Sequence, residues 1–440
     1  MTSNKNIFKI TYPIFLTLIS QNIINVSNTA FLGRVGEVEL GASAIGGVFY
    51  FAIYMIGFGF SQGAQILIGR RNGEKNYSQI GHIFNNALLF NLLLSILIFA
   101  ISVKGVPLLM KFVVSSDSVY DSTIAYLDWR IYGYFFAFVN AIFRAFYVGI
   151  TQTRILTTSA ILMAVTNIVL DYVLIFGNFG FAPLGIEGAG ISSVVAEIVT
   201  LIYVVLYTVF KVDLKHYALF QIKKVELKTV LQILELSIFI MFQYFLSIST
   251  WFMFFIFIEH MGERPLAVSN IGRSLYILLM IPASALATTV NTLVSNLIGA
   301  NRKEDVIPLI RKIASISFVL VLPLMLATFF FPELFARIYT DDASLILASI
   351  PVVRIVSIAN LLFAVFFIIF NGVSGTGNTR TAFMMEVVTL FFYIGYVYYT
   401  AIILHSSVAV VWISEFVYWI MIGGLGYWYL LKGNWRKKEI

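Results

Sequence analysis

Asp171 stands in an unbroken apolar run, four residues after an amide, in Thr166-Asn167-Ile168-Val169-Leu170-Asp171. Four residues make about one helical turn, so Asn167 and Asp171 present their side chains on one face. A carboxylate at the centre of a membrane-spanning helix costs on the order of 3 kcal/mol, so it is not left against lipid without a partner or a purpose. A carboxyl group held away from water can take a proton on one side of a membrane and release it on the other. The competing explanation is structural, a hydrogen bond from Asp171 to Asn167 and a neighbouring helix.

A second polar set lies near the N-terminus. Ser20, Gln21, Asn22, Asn25, Ser27 and Asn28 fall within nine residues, and Gln21, Asn25 and Asn28 recur at i, i+4 and i+7. Such a stripe must meet other helices or a watery cavity. Amides hold a cation or a substrate by hydrogen bonds but do not titrate, and packing between helices accounts for the stripe as well. Gln21, Asn22 and Asn25, with Asn140, Gln243 and Asn360, are the candidate cavity residues. Asn291, Asn296 and Asn371 and the acids Glu197, Glu235, Glu386 and Glu415 are read as structural first, with Glu197 placed in one half as Glu415 is in the other. Arg144, on one face with Asn140, is expected to neutralise an acid or to reach towards the membrane surface.

No catalytic set accompanies these groups. There is no cysteine, and His82, His216, His260 and His405 lie far apart in sequence. Neither a phosphate-cradling glycine loop nor a Ser/His/Asp arrangement stands out. An enzyme is therefore not expected, and neither is a metal centre or a cofactor. The net charge of +7 is read as basic loops facing anionic lipid rather than as a nucleic-acid surface.

The elements that must hold these residues are long apolar helices. The 440 residues are 60% hydrophobic and 12% charged, too few charges to cover the surface of a soluble domain. The mean hydropathy is +0.90. Spans of roughly 20 residues are expected near 11–33, 41–68, 83–104, 127–148, 155–176, 187–210, 231–258, 266–298, 313–331, 351–373, 381–404 and 408–431. The stretch before the first span has no small-residue cleavage site, so that span is expected to stay. With the spans so drawn, 20 lysines and arginines collect on one side and 7 on the other, counting Arg130 among the 7. That asymmetry places both termini and the central linker in the cytoplasm of a multi-pass inner-membrane protein.

The two halves resemble each other. Leu40-Gly41-Ala42-Ser43-Ala44-Ile45 has its counterpart in Leu266-Ala267-Val268-Ser269-Asn270-Ile271. Ile68-Gly69-Arg70-Arg71 corresponds to Ile298-Gly299-Ala300-Asn301, and Gly149-Ile150-Thr151-Gln152 to Gly375-Thr376-Gly377-Asn378. Three correspondences in matching order give an all-α protein of twelve membrane helices, in two six-helix lobes related by a pseudo-two-fold axis. The lobes are expected at 1–210 and 230–440, with a basic linker at 211–229. Leu214, Tyr217, Ile222 and Val225 in the linker form either an apolar stripe lying on the inner leaflet or part of a solvated loop.

Taken in order, several pieces resemble the MATE (multidrug and toxic compound extrusion) family of the MOP flippase superfamily. They are Pro13, Asn28-Thr29-Ala30-Phe31-Leu32-Gly33-Arg34, Gln65 with Ile68-Gly69, Asn167 to Asp171, Pro183-Leu184-Gly185-Ile186-Glu187-Gly188, and Trp412-Ile413-Ser414-Glu415. The resemblance implies alternating access and export of amphipathic, often cationic small molecules in exchange for protons or sodium, by a monomer in the lipid bilayer. It implies that Asp171, Asn167 and Asn28 form the ion-coupling site. The family's acid in the first span falls at Asn28, and the second-lobe acid of sodium-coupled members falls near Gln243, so both are amides here. A flippase for lipid-linked saccharides is the alternative within the same superfamily.

Overall fold

The computed structural model describes residues 2–221 and 226–437, and they contain no β-strand. The first half consists of α1 (Asn4–Val35), α2 (Glu37–Gly73), α3 (Tyr77–Val113), α4 (Asp117–Arg130), α5 (Gly133–Gly149), α6 (Arg154–Phe176), α7 (Gly185–Lys211) and the single turn α8 (Leu214–Tyr217). The second consists of α9 (Leu227–His260), α10 (Glu263–Gly299), α11 (Val306–Phe330), α12 (Pro332–Ala336), α13 (Ala343–Gly375), α14 (Thr379–Tyr398), α15 (Val408–Trp412) and α16 (Ser414–Lys432). Among the described residues, 11 helical stretches are long and apolar enough to cross a membrane, and up to 12 if α4 and α5 count as one bent span. Helices suit hydrocarbon because every N–H and C=O inside them is bonded within its own segment.

Two compact units divide the chain: Tyr12–Met241, and Met1–Thr11 with Phe242–Ile440. The division falls inside α1 and inside α9, whereas the sequence places the change of lobe at the linker. In the first unit α2 packs along α3, α4 and α5, and α6 packs along α7. In the second, α13 packs along α10, α11 and α16. α2, α3 and α10 each run 37 residues, about 55 Å at 1.5 Å per residue, so they tilt or project beyond a hydrocarbon layer about 30 Å thick.

The span expected at 127–148 is broken. α4 ends at Arg130, α5 starts at Gly133, and the two meet at a bend of 52°. Gly133 leaves room there for the side-chain ends of Arg130 and Glu197, which a Cβ would displace. The small residues Gly59 and Gly63 of α2 admit Met241 and Ser237 of α9.

The described part of the linker is strapped onto the start of α3. Asn85 Nδ2 donates to the Ala218 carbonyl (3.0 Å), and Asn85 Oδ1 accepts from Phe220 N (2.9 Å). Asn86 Oδ1 accepts from Glu226 N at 2.7 Å, and His82 Nε2 lies 2.8 Å from Glu226 Oε2. Tyr217 is buried, and burial together with the neighbouring Tyr77 phenol pushes its hydroxyl above the ordinary range. Ile222 and Val225, the other half of the expected apolar stripe, lie outside the described residues.

Candidate functional site

The site around Asp171 depends on how closely α7 approaches α6. α6 ends at Gly177 in the left-handed conformation, φ +72°, which glycine adopts without strain. A Cβ on Gly188 of α7 would lie 2.8 Å from the Leu174 carbonyl carbon of α6, so only glycine fits there. One turn further along α7, Ser192 Oγ donates a short hydrogen bond to Asp171 Oδ1. Asn167 Nδ2 donates to Ser193 Oγ at 3.3 Å and to Ser192 Oγ at 3.5 Å.

α1 closes the third side. With the Asn28 amide oriented to satisfy its neighbours, its nitrogen meets Asp171 Oδ2 at 2.5 Å, Asn167 Oδ1 at 2.9 Å and the Ile24 carbonyl at 3.1 Å. Asp171 is 0% exposed and Asn167 1%. Among the described residues no lysine, arginine or histidine forms an ion pair with Asp171. A carboxyl group ringed by neutral oxygens and amides suits a proton or a small hard cation, because hydroxyl, amide and carboxylate oxygens are what such ions bind.

Asn28, Asn167 and Asp171 therefore come together, joined by Ser192 and Ser193, which the sequence did not single out. The only trace of the serines in the sequence is the small-residue stretch Gly188-Ala189-Gly190 just before them, which permits close helix contact. The other amides are dispersed. Gln21 and Asn25 are exposed, and the half-buried Asn22 donates back to the Leu18 carbonyl at 3.0 Å. Asn140 donates to the Glu197 carbonyl at 3.1 Å, while the Arg144 guanidinium sits 5.2 Å from the centre of the Phe58 ring. In the other unit Gln243 donates to Glu386 Oε2 at 3.3 Å. Asn360 is fully buried, and neither of its amide atoms meets a hydrogen-bond partner among the described residues.

Arg130, counted among the seven basic residues of the less basic side, lies buried inside the unit. It is 9% exposed, its Nη2 donates to Glu197 Oε1 at 2.7 Å, and its guanidinium lies 3.5 Å from the centre of the Tyr50 ring. Tyr50 in turn donates to Glu197 Oε1 at 3.1 Å and stacks on Tyr134, with ring centres 5.0 Å apart. Arg130 is the last residue of α4, at the break before α5, a bend that hydropathy does not register.

Apolar helices of spanning length, in two halves with matching segments and a mid-span carboxyl met only by neutral groups, define a polytopic helical transporter of the membrane. The family model for MatE matches residues 13–173 and 237–399, one stretch in each half. The chain belongs to the MatE family. It is 23% identical to a probable multidrug resistance protein NorM of Thermotoga maritima, over 99% of this chain and 94% of the relative. A Bacillus cereus protein of the same description is 24% identical over 76% of this chain and 74% of its own length. Among solved structures, a MATE transporter of Vibrio cholerae has a TM-score of 0.90 at 17% identity, over 99% of this chain and 98% of that one. A MOP superfamily transporter from Pyrococcus furiosus has a TM-score of 0.89 at 17% identity, over 99% and 97%.

Proposed function

We propose that this protein exports amphipathic, cationic small molecules by alternating access, in exchange for protons or sodium ions. The observation that carries the reading is Asp171, wholly buried in α6 and held by α1 and α7 through uncharged donors. Family membership and the multidrug-resistance names of the relatives support the cargo. The basic asymmetry of the loops supports an inner-membrane protein with both termini cytoplasmic. It acts as a monomer, each copy carrying its own Asp171.

The geometry gives a way for ion load to reach the helices. An ionised Asp171 accepts from Ser192 Oγ and from the Asn28 amide nitrogen. A protonated Asp171 has a hydrogen to donate, and a half-turn of the Asn28 amide offers its oxygen instead. Loading thus alters the tie between α1 and the α6–α7 pair. A bound sodium ion would act at the same oxygens. The test is transport of a cationic dye by proteoliposomes under an imposed proton or sodium gradient. Dye movement that follows one gradient in the wild type and stops in Asp171→Asn supports the reading. Movement indifferent to both gradients, or unchanged in the variant, overturns it.

A further inference from the structure

The two halves use one buried tyrosine–glutamate pair in opposite ways. Tyr50 and Tyr276 each stand ten residues after the matching leucines, Leu40 and Leu266. Tyr50 donates to Glu197 and Tyr276 to Glu415, at 3.1 and 3.0 Å. In the first half Arg130 completes the pair, its guanidinium donating to Glu197. Among the described residues no lysine, arginine or histidine forms an ion pair with Glu415, and the residue as far from Tyr276 as Arg130 is from Tyr50 is Val356.

The titratable and charged groups around Glu415 are few. From α10 come Tyr276 and, one turn earlier, Arg273, whose guanidinium sits 4.9 Å from the centre of the Phe255 ring and forms no ion pair among the described residues. From α14 come Tyr393, which donates to Glu415 Oε1 at 3.2 Å, and Glu386 two turns earlier. α16 itself adds Tyr418, which donates to Glu386 Oε1 at 2.7 Å. α9 contributes Phe254, α13 Val356 and α15 Trp412, none of them titratable. A carboxylate buried to 3% exposure with no cation beside it is costly.

The hydrogen-bond directions supply a neutral alternative. Trp419 Nε1 only donates, and it meets Tyr276 Oη at 2.6 Å. Tyr276 must therefore accept from Trp419, and its own hydrogen points to Glu415 Oε2. Tyr393 is not fixed in this way. Ser414 Oγ is wholly buried next to the Tyr393 hydroxyl but meets no partner in good hydrogen-bond geometry. While Glu415 is ionised, Tyr393 donates to it and keeps its oxygen free to accept from the neighbouring Ser414 hydroxyl. Once Glu415 carries a proton on Oε1, it donates to Tyr393, and the displaced tyrosine hydrogen turns to Ser414 Oγ, so the hydroxyl pair accommodates either state.

We propose that Glu415, with Tyr276, Tyr393 and Ser414, is a second proton-exchanging site, built into the C-terminal half and separate from Asp171. The proton comes from water, resides on Glu415 Oε1 and returns to water, with no other species consumed. The proposal stands whether or not Asp171 drives export.

The test is infrared spectroscopy of the full-length protein in liposomes, titrated with protons alone in water and in heavy water, in an Asp171→Asn background. A carbonyl-stretch band of a protonated carboxylic acid is expected there and is lost on adding Glu415→Gln. Tyr393→Phe removes a donor to the anion, so the midpoint moves roughly one to two units to higher pH. If Glu415→Gln does not fold, the upward shift in Tyr393→Phe decides the matter. A band unaffected by Glu415→Gln, or a midpoint that stays or falls in Tyr393→Phe, would overturn the proposal.

Discussion

Arg130 Nη2 donates to Glu197 Oε1 at 2.7 Å, joining the end of α4 to the middle of α7 inside the N-terminal half. The side chains are 11% and 4% exposed, so the pair is nearly free of solvent screening. Removing one member leaves the other charged and buried, which costs about 3–5 kcal/mol. Arg130→Met alone and Glu197→Gln alone are each expected to lower the melting temperature of the purified protein sharply. Arg130→Met with Glu197→Gln should recover most of that loss, since two neutral groups of similar size replace the pair. Losses that simply add would mean the two charges do not depend on each other.

The strap between linker and α3 has its own weak point at Gly81. A Cβ there would run into the backbone carbonyls of Tyr217 and Ala218, and backbone cannot rotate away as a side chain can. Gly81→Ala is expected to lift residues 217–220 and to break the bonds from Asn85. Trypsin should then cut after Lys211 or Lys215 several-fold faster than in the wild type, at equal thermal stability. A cleavage rate that stays the same would show that the linker is not held by this contact.

Asp342 caps α13 outside the membrane, its carboxylate accepting from Ser344 N at 2.8 Å. The Ser344 hydrogen bonds hold its carboxyl below the usual carboxylate range. A group depressed in the folded state stabilises above the unfolded value of about 3.9, and that stabilisation is lost as pH falls through the folded value. Asp342→Ala should therefore melt below the wild type at neutral pH, with Asp342→Ser recovering much of the difference. As pH falls through that folded value the wild type and Asp342→Ala should converge. A gap that persists undiminished in acid would exclude the cap as its source.

Helical membrane architecture was legible in the sequence because hydrophobic runs of spanning length have few other uses, and the repeat was legible because its loops kept their glycines and polar residues. The break at Ile131-Tyr132 was not, since Gly133 resembles any helix glycine until its neighbours are known. That is why Arg130, at the start of the span expected at 127–148, was counted among the seven basic residues of the less basic side. Asp171 and Asn167 were legible from spacing alone. Asn28 was placed by resemblance and Ser192 not at all, because contact across helices depends on how far α7 slides along α6, and Gly188 sets that distance only in three dimensions.

The tie between Asn28 and Asp171 gives the sharpest test of coupling. If Asp171 carries the ion, Asp171→Asn keeps the volume and the oxygen that accepts from Ser192 but loses the charge, so gradient-driven efflux should fall to background while the protein still folds. Ser192→Ala removes a hydroxyl that serves the ionised form, and a charge-assisted bond is worth about 1.5–3 kcal/mol. The pH at which transport is half-maximal should then rise by roughly one to two units, with the maximal rate less affected. Asn28→Asp places a second carboxyl 2.5 Å from the first. Two anions so close cannot both stay charged without a shared proton or cation. That variant should acquire a new dependence on pH or on sodium in the proteoliposome assay. A profile identical to the wild type would mean that α1 does not reach Asp171 during the cycle, and that the ion is carried without it.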